Sequence, residues 1–105
     1  MIFRKRRFAE VIERQLDVFA QDQAHDIFAE IRDRKALYDR ADRDEAEELY
    51  GDYVDAVETG TEALADMRDR FKQTLEDDAV DEYESEFNRA VKKRWPTFGL
   101  EIDLR

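Results

Sequence analysis

Carboxylates are the most abundant reactive side chains here: 28 of the 105 residues are Asp or Glu. Such groups ligate divalent metals, or move protons when their surroundings shift their pKa. Glu45, Glu48, Asp52 and Asp55 are spaced to fall on successive turns of one helix. A magnesium site needs only one or two carboxylates plus substrate phosphate. A metal-dependent nucleotide hydrolase is therefore one reading of that row. Helical nucleotide pyrophosphatases use two adjacent Glu with a third shortly after, then Glu-x-x-Asp on another helix, and this chain does not reproduce that pairing. A solvated acidic face accounts for the row more simply.

Other chemistries lack the residues they need. Di-iron bundles project Glu-x-x-His pairs inward. The single histidine, His25, follows Asp22 and has no second copy. It lies beside the apolar stripe, as a surface or boundary histidine would. There is no cysteine, which removes disulfides, thiolate nucleophiles and Cys-based zinc sites. Ser85, the one serine, has no nucleophile elbow around it. Gly51, Gly60 and Gly99 are isolated, so no phosphate-cradling loop can form. No catalytic residue, metal ligand or cofactor is assigned on these grounds, and the balance is against an enzyme.

Residues suited to binding are easier to find. Arg4, Lys5, Arg6 and Arg7 form a basic cluster flanked by Phe3 and Phe8. Four cations at a helix start oppose its dipole and need compensation. The expected partner is the acidic stretch Glu76 to Asp78, with an anionic surface as the alternative. Gly60 sits inside a helical pattern, where glycine costs about 1 kcal/mol relative to alanine. Pairing the helices across a short loop puts it opposite Ala24, with Ala20 one turn away. Small residues at one level admit close backbones, or a large side chain from the third helix or another subunit. Trp95, the only tryptophan, completes the candidate interaction residues. Small secreted helical hairpins place a Trp-x-Gly in their turn, whereas Trp95 and Gly99 lie in the tail of this chain.

Three helices must position these groups. Phe8, Val11, Ile12, Leu16, Phe19, Ile27, Phe28, Ile31 and Tyr38 recur at helical spacing and predict a first helix over 6–38. Pairs eleven residues apart suggest a straight path, and Gln21-Asp22-Gln23 suggests a bend. Asp42 with Glu45 resembles a capping box before a second helix over 44–75. That helix carries a heptad: Ala46, Tyr50, Tyr53, Val57, Gly60, Leu64, Met67, Phe71 and Thr74. Asp77-Asp78 is expected to cap a third helix over 79–94, which Pro96 stops. The tail 95–105 alternates Phe98, Leu100, Ile102 and Leu104, the pattern of an extended strand. The expected fold is all-α: a long antiparallel hairpin, a shorter third helix and an extended C-terminal tail, in one domain over 1–105.

Charge narrows the partners. The net charge is −10. From Asp44 to Glu86 there are 17 acids against three bases, a net of −14, and the remainder carries 15 bases and 11 acids, a net of +4. Phosphate backbones repel such a protein, so nucleic acid is disfavoured. A partner with a basic surface suits it better. No apolar run approaches the ~18 residues that span a bilayer, and no apolar segment follows the basic start. A membrane role is disfavoured and a cytoplasmic location is the default. A third helix half as long as the hairpin leaves apolar stripe bare, so a homodimer is expected. The resulting expectation is a non-enzymatic interaction or assembly module. The alternatives are the nucleotide hydrolase and a peripheral binder of anionic surfaces through Arg4 to Arg7.

Overall fold

The computed structural model describes residues 7–105, except for the side chains of Gln23 and Ala24. Its described residues form helices and no strand. α1 spans Ala9–Val18, a π-helical turn spans Phe19–Gln23, and α2 spans Ala24–Asp39. α3 is Arg43–Lys72, α4 is Asp77–Arg94, a 3-10 turn covers Pro96–Phe98, and α5 is Gly99–Ile102. No helix among the described residues is long and apolar enough to cross a membrane.

Of the two paths open for the first helix, the one interrupted at Gln21-Asp22-Gln23 is found, and the expectation of an extended tail is corrected. The first helix is not one regular rod. The π turn falls on the polar stretch 21–23 and takes an extra residue into the turn, which re-phases every side chain beyond it. The change comes where the neighbour changes, because α1 packs on α4 and α2 packs on α3. The tail is not extended either. Phe98 and Ile102 are fully buried while Leu100 and Leu104 are 80% and 75% exposed. Burial every fourth residue is the spacing of a helix, and among the described residues there is no strand to pair with an extended tail.

The helix ends follow local chemistry. The N-cap Asp42 accepts the Glu45 backbone N–H at 3.1 Å and satisfies one orphan donor of α3. α4 begins at Asp77, two residues earlier than expected. Asp77 and Asp78 therefore sit in its first turn, and the N-cap position belongs to Glu76, which makes no side-chain cap bond. Lys92, Lys93 and Arg94 occupy the last turn of α4, where cations complement the dipole.

The core joins α1, α3, α4 and the tail. Phe8, Ile12, Leu16 and Phe19 meet Val57, Leu64 and Ala65, with Tyr83, Phe87 and Val91 from α4 and Phe98 and Ile102 from the tail. α1 runs parallel to α4, as successive pairs show: Phe8 with Tyr83, Asp17 with Arg94, Phe19 with Trp95. Along α2 and α3 the pairs are Tyr38 with Tyr50, Arg34 with Asp52, and Ile27 with Gly60. The α3 heptad is buried only in its middle, at Val57, Gly60 and Leu64, and is exposed at Tyr50 and Thr74. None of the described side chains of α2 is buried. The whole measures 54 × 29 × 24 Å.

Candidate interaction surfaces

Gly60 is filled, and not by the residues expected. A β-carbon there would lie 2.7 Å from Cε1 of Phe98 and 3.0 Å from Cγ2 of Ile27. The large side chain comes from the 3-10 turn of the same chain, neither from α4 nor from another subunit. Ala20 is half-buried in the π turn, and the side chain of Ala24 lies outside the described residues.

Trp95 belongs to the same neighbourhood. Its ring lies 5.5 Å from both Phe19 and Phe28, and 6.3 Å from Phe98. Phe28 stacks on Phe98 at 5.9 Å. These four rings cover the junction where α1 passes into α2. The Arg94 guanidinium lies 4.8 Å above Trp95 and bonds Asp17 at 2.7 Å. Trp95 is thus half-buried in an internal cluster, with one face under a cation.

Of the basic cluster, Arg4, Lys5 and Arg6 lie outside the described residues. Arg7 is described, and it meets Glu82 of α4 at 3.5 Å rather than Glu76 to Asp78. Its guanidinium also sits 5.2 Å from the Phe8 ring. The next backbone N–H, from Phe8, donates to buried Glu86 at 3.4 Å. Parallel packing on α4 brings the start of α1 to the middle turns of that helix, which is why the partners shift.

Sequence reasoning missed Arg68. It is only 1% exposed, in the middle of α3. Its Nη1 donates to Asn88 Oδ1 at 3.0 Å and to the Ile102 carbonyl at 3.2 Å. Its Nη2 donates to the Arg105 carbonyl at 2.8 Å, and its Nε to Asp69 at 2.9 Å. One planar fork therefore satisfies carbonyls at the C-terminal end of α5 and ties α3 to α4. The available signal was its position: Leu64, Arg68 and Phe71 share one helical face. No buried side-chain nitrogen or oxygen among the described residues lacks a partner.

The carboxylate row is on the surface. Glu45, Glu48 and Asp55 are exposed, and Asp52 faces Arg34, which donates to the Asp52 backbone carbonyl at 3.1 Å. His25 is exposed, as is Ser85. Among the described residues no three His, Asp or Glu side chains converge as a metal site would require.

A groove of about 630 Å³ lies between α1 and α4. Ala9, Ile12 and Leu16 face Ala90 across it. Two small residues on facing helices leave a trough that longer side chains would fill. Glu86 and Arg94 mark its two ends, Glu13 edges it on α1, and Arg89 and Lys93 edge it on α4. Arg94 is paired with Asp17, and neighbouring Lys92 with Asp103. Arg89 and Lys93 have no ion-pair partner among the described residues.

A smaller cleft of about 290 Å³ lies near the far end of the molecule, lined by Arg34, Leu37, Leu49 and Asp52. No family model, no curated protein and no solved structure matches this chain.

Proposed function

We propose that this chain is a non-enzymatic protein–protein interaction or assembly module, and that it associates with itself as a homodimer. One observation carries the reading. α2 and the first half of α3 extend from the core as an antiparallel arm whose apolar side chains have little cover. Leu37 is 47% and Tyr50 50% exposed. Exposed apolar side chains on an arm of this kind suit an interaction site. A lone pair of helices buries too little on its own, so a partner that covers it stabilises it.

Charge supports the same reading. Residues 43–59 hold seven acids against Arg43, a net of −6. That surface suits a basic partner face. A cytoplasmic setting is part of the proposal.

Sedimentation velocity and light scattering of the full chain test it. A dimer across micromolar concentrations is the expected result. A monodisperse monomer overturns the self-association. Turnover of any nucleotide in a panel titrated with magnesium and manganese overturns the non-enzymatic reading.

A further inference from the structure

The α1/α4 groove and the arm each combine apolar side chains with charges, and the charges are of opposite sign. The groove has an apolar floor of Ala9, Ile12, Leu16 and Ala90, and a rim on which Arg89 and Lys93 stand one helical turn apart. The arm has an apolar edge at Leu37 and Leu49, which line one cleft. Beside Leu49 the helical period places Glu45, Glu48, Asp52 and Asp55. Asp52 is engaged by Arg34, at 3.9 Å between charged groups, while Glu45, Glu48 and Asp55 have no ion-pair partner among the described residues. Two unpaired cations at one-turn spacing thus have, elsewhere on the same chain, the unpaired carboxylates Glu45 and Glu48 one turn apart, with Asp55 two turns further on.

These surfaces cannot meet within one molecule. Ile12 and Leu37 are 25 residues apart along nearly continuous helix, which is roughly 37 Å at 1.5 Å per residue. We infer that the groove between α1 and α4 is the docking site for the Leu37/Leu49 edge of the arm of a second copy of this chain, with the Glu45, Glu48, Asp55 row against Arg89 and Lys93. The inference rests on the self-association proposed above and names its surfaces. In this orientation α3 of one copy lies over α4 of the other, and α2 lies over α1. That sets Arg40, in the turn after α2, toward Glu13 on the opposite rim. Because each copy owns one groove and one arm, reciprocal docking closes a two-fold dimer with two equivalent four-helix contacts. The acidic row then has a role that needs no metal: it selects the partner and its register.

The test is charge reversal in the full chain, read by sedimentation velocity with circular dichroism to confirm folding. All four residues to be changed are exposed, so the fold should survive. The pair Arg89→Glu with Lys93→Glu should raise the dimer dissociation constant by roughly ten-fold or more. The pair Glu45→Lys with Glu48→Lys should do the same. Combining all four restores opposite signs across the contact and should bring the constant back to within about three-fold of the unmodified chain. A dimer indifferent to both reversals overturns this interface while leaving self-association intact. So does a quadruple variant weaker than either pair. An unmodified chain that stays monomeric to about 100 μM overturns the interface together with the dimer it depends on.

Discussion

The edge of the Phe98 ring lies 2.7 Å from where a β-carbon on Gly60 would stand. Both residues are buried, and Phe98 has no exposed surface into which its ring could withdraw. The glycine therefore sacrifices helix propensity for the close approach of a ring from the C-terminal turn. That approach is what allows Phe98 to stack on Phe28 and to seat the tail on α3.

Gly60→Ala should destabilise the protein. The intrinsic gain from alanine is about 1 kcal/mol. Overpacking a rigid site costs about 1–3 kcal/mol. The net loss should be about 1 kcal/mol, and the additional change Phe98→Leu should recover part of it. Gly51, in the same helix, has nothing within 4 Å of its hypothetical β-carbon. Gly51→Ala should therefore stabilise by up to about 1 kcal/mol. Urea denaturation of the two single variants gives opposite signs if the Phe98 contact is the cause.

Arg68→Ala should cost about 3 kcal/mol or more. The substitution leaves the buried Asn88 Oδ1 without its donor and removes one of two donors to the Ile102 carbonyl, the other being the Arg105 N–H at 3.4 Å; an unmet buried acceptor costs about 1–3 kcal/mol. Arg68→Lys should recover little, because one ammonium cannot reproduce the planar fork. Hydrogen exchange should accelerate at Phe98 to Arg105 well before it changes in α1. Unchanged protection of the tail would show that Arg68 does not hold it.

Tyr83 should make stability depend on pH in the alkaline range. Burial pushes its phenol up to about 12, and the phenol donates a hydrogen bond to Gln15 at 2.9 Å. Below about pH 10 the phenol is neutral whether folded or unfolded. Between about 10 and 12 the unfolded chain releases the proton that the folded chain keeps, so stability falls as pH rises. Tyr83→Phe should cost about 1 kcal/mol near neutral pH, through the lost hydrogen bond. Its deficit should shrink from pH 10 to 12, because the variant has no phenol to titrate at that position. A deficit that stays constant over the window would remove Tyr83 as the source.

The all-helical class, the Asp42 cap and the stop before Pro96 were legible in the sequence. Each depends on residues within about four positions of one another, and helical periodicity is a local property. The buried middle of the α3 heptad was legible for the same reason. The tail was misread because Phe98, Leu100, Ile102 and Leu104 satisfy a period of two and, at Phe98 and Ile102, a spacing of four. Only the presence of α3 and α4 beneath them selects the second. Arg68 was passed over because a charged side chain reads as solvated, and the acceptors that make its burial tolerable come from Asn88, Ile102 and Arg105, 20 to 37 residues away. The groove had no signature at all, since Ala9 and Ala90 are unremarkable until parallel packing sets them on facing helices. Local spacing thus determined which segments are helices and which face of each is apolar. The tertiary structure decided what each face meets, because those pairings depend on the relative placement of distant segments.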